Sequence, residues 1–310
     1  MGKTALLFPG QGAQSVGMGK SLAEEFPPAR KLFERAGEIL GYNLAKVCFE
    51  GPAEELDSTV ISQPAIFTLS MAAVEYLKSK TPEAVEQCGA AAGLSLGEYS
   101  ALCFAGAFSF EDGLRLVQKR GQAMQDASDA TFGGMVSIIG AELSAVEKLC
   151  SDICSAVCNE SRKNGVLQVA NILCPGNTAV SGTVECCEKL AELSATGSIR
   201  AVPLSVAGAF HTPLMKPADE ILAAALAETP VSVPKIPVIS NVNALPHNEP
   251  EDIRRTLVKQ VLSPVLWEKS IRSLLEQGFD TFYEVGPGRV LRGLLKRIDR
   301  KVKCSGLEEL

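Results

Sequence analysis

The chain alternates between short apolar runs and longer helical stretches, which is typical of an α/β protein. Ala5–Phe8 and Cys88–Leu94 are small and apolar enough to be buried strands, and Phe110–Gln125 predicts a helix. The buried stripe of that helix consists of Leu114, Val117, Gly121 and Met124. We therefore expect a large α/β domain that begins at the first residues of the chain.

The middle of the chain predicts a separate small unit. Its pattern gives strand, helix, strand, strand, helix and strand, at Gly134–Gly140, Leu143–Val157, Val166–Ile172, Asn177–Ser181, Val184–Leu193 and Arg200–Ser205. This order is that of a ferredoxin-like unit. We expect a ferredoxin-like small domain at residues 133–205, inserted into a large domain of residues 1–132 and 206–310, with a cleft between them.

The segment Gly93-Leu94-Ser95-Leu96-Gly97 has the G-x-S-x-G pattern of a serine on a tight turn between a strand and a helix. The two glycines remove the Cβ atoms that would clash where the chain doubles back. The pattern therefore predicts that the Ser95 hydroxyl lies at the end of a sheet. The first free N–H groups of the following helix would lie beside it and could hold an oxyanion.

The chain has two histidines, and a serine nucleophile needs a base near neutral pH. His247 lies between two prolines in a polar stretch, and we expect it to be a solvated loop residue. His211 lies where an apolar strand gives way to a turn. The pattern favours His211 as the base for Ser95, with a structural histidine as the alternative.

The predicted first strand runs into a glycine-rich loop, Pro9-Gly10-Gln11-Gly12. The two common nucleotide-binding patterns do not fit this loop, because one would need glycine at Ser15 and the other at Gln14. What remains is a turn between a strand and a helix. Its exposed N–H groups are suited to supply one half of an oxyanion hole.

Arg120 borders the apolar stripe of the helix predicted at Phe110–Gln125. Arginine is rarely buried without an anionic partner. One interpretation is a structural salt bridge. The other is a fork that binds a carboxylate through two parallel hydrogen bonds, which lysine could not reproduce.

Composition indicates an ordinary globular protein. Of the 310 residues, 46% are hydrophobic and 21% are charged. The net charge of −6, from 30 basic and 36 acidic residues, argues against nucleic-acid binding. We expect no membrane span, because we find no apolar run of sufficient length, and no leader peptide, because the first strand begins almost at Met1.

The chain has ten cysteines, and three of them, Cys150, Cys154 and Cys158, are spaced by four along a predicted helix. Zinc sites usually combine two cysteine pairs or add histidines, and this pattern is absent here. Free cysteine also behaves as a small core residue. We therefore expect structural thiols in a reducing compartment, and no metal.

Five features, in this order, resemble the malonyl-CoA:acyl carrier protein transacylases of type II fatty acid synthesis. They are Phe8-Pro9-Gly10-Gln11-Gly12, Gln63 in Ile61-Ser62-Gln63-Pro64-Ala65, Gly93-Leu94-Ser95-Leu96-Gly97-Glu98, Arg120 and Gly208-Ala209-Phe210-His211-Thr212. The resemblance extends to Gly286-Pro287-Gly288 near the carboxyl end. It covers nearly the whole chain.

The resemblance implies an acyltransferase. Such an enzyme moves the malonyl group from malonyl-CoA to the phosphopantetheine thiol of acyl carrier protein, through a malonyl-serine intermediate and with ping-pong kinetics. It implies no cofactor, and a hydrolase-like large domain with a parallel sheet that carries the ferredoxin-like insertion. We expect a monomer in the cytoplasm, or in the plastid stroma if a transit peptide has been removed.

By the resemblance, Ser95 is the nucleophile and His211 is its base. A backbone carbonyl near a glutamine or asparagine orients the imidazole in this family, and Gln260 is similar in placement. The backbone N–H groups of Gln11 and Leu96 would form the oxyanion hole. No aspartate completes a triad of the usual kind.

The resemblance also implies the residues that bind the acyl group. Arg120 would bind the free carboxylate of malonate, and Gln63 would help to position the acyl chain. Related enzymes that accept methylmalonyl groups usually have serine before the histidine, and Phe210 fills that place here, which favours malonyl. Asn171 is a further candidate, although the family's second asparagine in this segment is replaced by Leu173.

The segment Arg289–Lys303 carries seven basic residues against the single acid Asp299. Acyl carrier proteins are acidic, so this segment is a candidate docking surface, with a solvated helix face as the alternative. Two other functions also stay open. An acyl hydrolase would use the same serine and histidine without explaining Arg120, and a catalytically silent scaffold would only hold the carrier protein.

Overall fold

A computed structural model describes residues 2–161, 164–197 and 199–307. The strands are β1 Lys3–Phe8, β2 Cys88–Gly93, β3 Gly133–Ile139, β4 Leu167–Cys174, β5 Asn177–Thr183, β6 Arg200–Pro203, β7 Val238–Ile239, β8 Phe279–Glu284 and β9 Lys303–Gly306. Residues 1, 162, 163, 198 and 308–310, which the predicted domain ranges include, lie outside the described residues.

The helices surround two sheets. They are α1 Lys20–Glu25, α2 Pro27–Leu40, α3 Leu44–Glu50, α4 Ala53–Asp57, α5 Thr59–Lys80, α6 Pro82–Glu86, α7 Leu96–Phe104, α8 Phe110–Thr131, α9 Leu143–Ser161, α10 Val184–Thr196, α11 Ala218–Glu228, α12 Pro250–Gln260, α13 Trp267–Glu276 and α14 Val290–Ile298, with a short 3₁₀ helix at Pro213–Met215.

The larger sheet is parallel, with the strand order β7-β2-β1-β8-β9. β1 lies at its centre, and its residues 4–8 are buried because helices cover both faces of the sheet. Phe8 pairs with Gly93 at the end of β2, and Leu7 pairs with Glu284 at the end of β8. The loops that follow these strands therefore meet at one edge of the sheet, which is where α/β proteins bind ligands.

The long apolar helix α5 packs against α2 and α8 in the apolar core beside the large sheet. By length and composition alone it could cross a membrane, which corrects the expectation that no apolar run is long enough. However, 78% of its most apolar window is buried inside the protein. This burial is that of a core helix.

The second sheet is antiparallel, with the order β4-β5-β3-β6. Two helices, α9 and α10, pack on it through a separate apolar cluster that includes Val146, Cys150, Cys186 and Leu190. The element order and strand order are those of a ferredoxin-like unit, so the predicted fold class is confirmed. All ten cysteines lie within the described residues and are free thiols.

β4 of the small sheet also forms main-chain hydrogen bonds with Val265, in the segment just before α13. The N–H of Ile172 donates to the oxygen of Val265 at 2.9 Å, and the N–H of Val265 donates to the oxygen of Ala170 at 2.8 Å. These bonds fix Asn171, between the two, at the junction of the sheets. The predicted boundaries of the two domains stay a prediction.

Most predicted elements are present with shifted ends. The first strand begins at Lys3, because pairing with β8 already starts there. The helix that begins at Phe110 continues to Thr131 instead of Gln125, and the last strand of the small unit ends at Pro203 instead of Ser205. Local pattern located the elements, whereas tertiary pairing set their ends.

Candidate active site

Ser95 lies on the tight turn between β2 and α7. Its backbone adopts φ 51° and ψ −101°, a conformation that a residue other than glycine keeps only when its surroundings hold it there. A Cβ on Gly93 would overlap the backbone of Gly97, and a Cβ on Gly97 would overlap that of Phe8. Both glycines are required, because the turn packs directly against the end of β1.

His211 lies beside Ser95. Ser95 Oγ is 2.9 Å from His211 Nε2, and His211 Nδ1 is 2.9 Å from the main-chain oxygen of Gln260. A carbonyl oxygen only accepts hydrogen bonds, so Nδ1 carries the ring proton and Nε2 accepts from the serine hydroxyl. The two side chains are therefore arranged for proton transfer from serine to histidine.

The surroundings of His211 keep its imidazole neutral. Burial lowers its pKa from 6.5 to about 4; the hydrogen bond to the Gln260 carbonyl opposes this shift, and the positive charge of Arg120 adds to it. At neutral pH the ring can therefore accept a proton. His211 has a positive φ of 63°, and Gln168 Nε2 of β4 donates to its main-chain oxygen at 3.2 Å.

Arg120 projects from α8 toward Ser95 and is only 1% exposed. Its Nη2 donates to Ser95 Oγ at 2.9 Å, and its guanidinium lies 5.1 Å from the centre of the Tyr99 ring. Within the described residues, no carboxylate lies within 4.0 Å of Arg120, and its buried Nε has no acceptor. The alternative of a structural salt bridge is therefore wrong.

Two glutamine oxygens hold the guanidinium of Arg120. Nη1 donates to Gln63 Oε1 at 2.8 Å, and Nη2 donates to Gln260 Oε1 at 3.0 Å. With the bond to Ser95, three of the five arginine N–H donors are in use. The remaining two are the second N–H of Nη1 and the N–H of Nε, and among the described residues the buried Nε has no acceptor.

Gln260 lies beside His211, where the resemblance placed it, whereas Gln63 contacts Arg120. Gln63 on α5 is fully buried behind Arg120, with its Nε2 3.6 Å from the sulfur of Met124, so it positions the guanidinium. Gln260, at the end of α12, contributes both its main-chain oxygen to His211 and its side chain to Arg120. One residue thus ties the base and the cation together.

The predicted oxyanion donors lie at the ends of β1 and β2. Gln11 follows β1, and Leu96 is the first residue of α7. Among the described residues, neither main-chain N–H has an acceptor. The two loops are in close contact, since a Cβ on Gly10 would overlap the main-chain oxygen of Leu94. The N–H of Ser95 itself is taken by Asn241 Oδ1 at 2.6 Å.

A cavity of about 80 Å³ opens beside Ser95. Its lining residues are Gly10, Gln11, Leu94, Ser95, Arg120, Met124, Met135, Asn171, Leu204, Val206, Phe210 and His211. Phe210 and Asn171 therefore lie where the sequence predicted, and Asn171 Oδ1 is buried without a partner in the described structure. The volume suits a short acyl group and not a fatty chain.

The sequence reasoning missed a buried polar network beneath Ser95. Glu98 Oε1 lies 2.6 Å from His247 Nε2, and Glu98 Oε2 accepts from the N–H of Asn241 at 3.1 Å. The interpretation of His247 as a solvated loop residue is wrong: it is 4% exposed, because its segment folds back over the end of β7. Asn241 follows β7, so a strand-end signal could have found it.

Comparison with known proteins gives a consistent assignment. The acyl transferase domain family matches residues 5–302. A malonyl CoA-acyl carrier protein transacylase of Bacillus subtilis (strain 168) is 43% identical over 312 residues, which cover 100% of this chain and 94% of that protein.

Solved structures agree with this similarity. The acyl-carrier-protein-S-malonyltransferase of Bartonella henselae has a TM-score of 0.92 at 37% identity, covering 98% of this chain and 95% of that one. A malonyl-transacylase in complex with its type II PKS acyl-carrier protein has a TM-score of 0.90 at 35% identity, covering 98% and 94%. The chain belongs to the acyl transferase domain family and, within it, to the malonyl CoA-acyl carrier protein transacylases.

Proposed function

We propose that the protein transfers the malonyl group of malonyl-CoA to the phosphopantetheine thiol of acyl carrier protein, and so supplies malonyl units for fatty acid synthesis. One observation carries the choice of acyl group. Arg120, a buried cation without a carboxylate partner in the described structure, lies 2.9 Å from the Ser95 hydroxyl. An acyl group bound to Ser95 therefore places its far end beside a cation with free donors.

In the first half-reaction, Ser95 Oγ attacks the thioester carbon of malonyl-CoA. His211 Nε2 takes the hydroxyl proton as the new C–O bond forms, since the ring is neutral and already in contact with Oγ. The negative charge on the carbonyl oxygen is received by the N–H groups of Gln11 and Leu96. The C–S bond then breaks, and the proton on the imidazolium passes to the sulfur of coenzyme A.

The second half-reaction reverses these steps. The phosphopantetheine thiol of the carrier protein loses its proton to His211 and attacks the malonyl-serine ester. The same two N–H groups receive the oxyanion, and Ser95 regains its proton from the imidazolium as the C–O bond breaks. No step needs a cofactor, because the chemistry is an exchange of thioester and ester bonds.

Arg120 selects for malonyl against acetyl. A malonyl group brings a carboxylate that can take the free N–H donors of the guanidinium, and charge-assisted bonds of this kind are the strong ones. An acetyl group leaves the buried cation without an anionic ligand. Phe210 and Asn171 line the same cavity, and we propose that Phe210 restricts the space beside the α-carbon.

The complex of a related malonyl-transacylase with its acyl-carrier protein supports acyl carrier protein as the partner. The basic carboxyl-terminal segment lines a groove of about 480 Å³ around Lys296 and Arg300, and docking there stays a proposal. We also propose the domain ranges 1–132 with 206–310 and 133–205, a monomeric state, and a cytoplasmic location with the plastid stroma as the alternative.

The deciding experiment is intact-protein mass spectrometry after brief incubation with malonyl-CoA or acetyl-CoA, with the Ser95→Ala variant as control. We expect a malonyl-sized gain with malonyl-CoA only, absent from the variant, and its loss when holo acyl carrier protein is added. Release of free malonate with no adduct would indicate a hydrolase. Neither adduct nor turnover would indicate a silent scaffold.

A further inference from the structure

The buried charge of Arg120 needs compensation before any substrate binds. The side chain is fully enclosed, and burial lowers its pKa, whereas the neighbouring Tyr99 and, after it, the negative charge of Glu98 act against that shift. An isolated charge in a protein interior is costly unless another charge balances it. Yet no carboxylate touches the guanidinium among the described residues.

The side chain of Gln260 connects Arg120 to a buried carboxylate. Its Oε1 accepts from Arg120 Nη2 at 3.0 Å, and its Nε2 donates to Glu98 Oε2 at 2.6 Å. The same Nε2 lies 3.0 Å from the main-chain oxygen of Ser95. The cation and the anion therefore face the two ends of one amide, with the orientation of the amide fixed by both.

Glu98 itself cannot move toward Arg120. It is 0% exposed, and besides Gln260 it is held by His247 Nε2 at 2.6 Å and by the main-chain N–H of Asn241 at 3.1 Å. Both partners lie on the side of β7, in the loop Ser240–His247. Three donors thus keep the carboxylate one amide away from the guanidinium.

We propose that Glu98 is the counter-charge of Arg120 and a specificity-determining positioning residue. It compensates the cation through Gln260 from one amide away, while the second N–H of Nη1 and the N–H of Nη2 that now contacts Ser95 Oγ stay available to an incoming acyl carboxylate. This inference rests on the proposed function, since it concerns how strongly the site prefers a malonyl to an acetyl group.

The position of the Glu98 charge predicts opposite effects on acyl preference for two substitutions, one that removes the charge and one that moves it to position 260. Without the charge of Glu98, the free enzyme loses compensation for Arg120, and a bound malonyl carboxylate loses a repulsive neighbour. Both changes favour malonyl relative to acetyl. If the carboxylate is moved to position 260, it pairs with the guanidinium directly, and the preference for malonyl falls.

The test measures dissociation constants of malonyl-CoA and acetyl-CoA by calorimetry in a Ser95→Ala parent, which binds without reacting. The variants are Glu98→Gln and the exchange Glu98→Gln with Gln260→Glu, which keeps the side-chain sizes and the net charge. We expect the acetyl-to-malonyl ratio of dissociation constants to rise at least about fivefold in Glu98→Gln and to fall by a similar factor in the exchange.

Each ratio comes from one protein sample, so an inactive fraction does not affect it, and thermal melting identifies a variant that fails to fold. Each of the two variants is an independent test of the inference. If the parent does not discriminate between the two thioesters, the proposed function is wrong. If the parent discriminates but the ratio in Glu98→Gln is unchanged or lower, or the ratio in the exchange is not lower, Glu98 is a structural residue only.

Discussion

Replacing Arg120 by methionine tests the origin of acyl selectivity most directly. Methionine keeps an unbranched apolar side chain against Tyr99 but removes the fork. A malonyl carboxylate that takes the second N–H of Nη1 and the N–H of Nη2 now on Ser95 Oγ makes two hydrogen bonds, at about 1.5–3 kcal/mol each, which correspond to about 3–6 kcal/mol. At about 1.4 kcal/mol per factor of ten, kcat/KM for malonyl-CoA should fall by about 10²–10⁴.

The acetyl-CoA reaction supplies the internal reference. Arg120 also donates to Ser95 Oγ, and loss of that bond affects both thioesters equally. The ratio of the two kcat/KM values, measured as transfer to holo acyl carrier protein, therefore isolates the contact with the carboxylate. Arg120→Lys is the matched control, because it keeps the charge without the fork, and we expect an intermediate loss of about tenfold.

Thermal melting of both variants is needed beside the kinetics, because Gln63 Oε1 and Gln260 Oε1 lose their donor in Arg120→Met. Each buried acceptor without a partner costs about 1–3 kcal/mol of folding free energy. An equal fall in malonyl and acetyl transfer in a folded Arg120→Met protein would refute the reasoning. Arg120 would then only support Ser95.

Three further predictions concern pH, the turn and the carrier protein. Because the pKa of His211 lies at about 4 in the folded state against its ordinary 6.5, the acid limb of kcat/KM should lie near pH 4, and an acid limb at 6.5 would contradict this. The folded state should also lose stability as pH falls from 6.5 to 4, because the unfolded chain binds more protons in that range. Gly93→Ala should prevent folding or lower the melting temperature sharply, since its Cβ would overlap backbone, and a melt like that of the unmodified protein would show that the turn can relax. Reversal of the exposed Lys296 and Arg300 to glutamate should raise KM for acyl carrier protein and leave KM for malonyl-CoA unchanged, and an unchanged KM for the carrier protein would exclude docking at this groove. Arg292 is unsuitable for this test because it contacts the buried Glu284.

Local chemistry explains why the sequence predicted the reactive pair. The turn at Ser95 is encoded within five residues, since two glycines and the strand before them are enough to define its geometry. With two histidines in the chain, the choice of a partner was narrow. The ferredoxin-like order was also readable, because each of its elements carries its own apolar period.

The sequence failed where a residue's surroundings come from distant parts of the chain. His247 lies between prolines in a polar stretch, and only the return of its segment over β7 buries it against Glu98, 149 positions away. Gln63 was predicted to help position the acyl group, and the packing of α5 against α8 places it behind Arg120, where it acts on that group only through the guanidinium. Neither outcome has a local signal.

The sequence by itself therefore determined the elements, the nucleophilic turn and the family resemblance, because each depends on residues close together in the chain. Tertiary structure decided the charge balance of the site. Arg120, Gln260 and Glu98 come from three separate helices, and their hydrogen bonds exist only once the helices have packed around the parallel sheet. Burial and electrostatic compensation depend on distance in space, and the order of residues along the chain does not specify that distance.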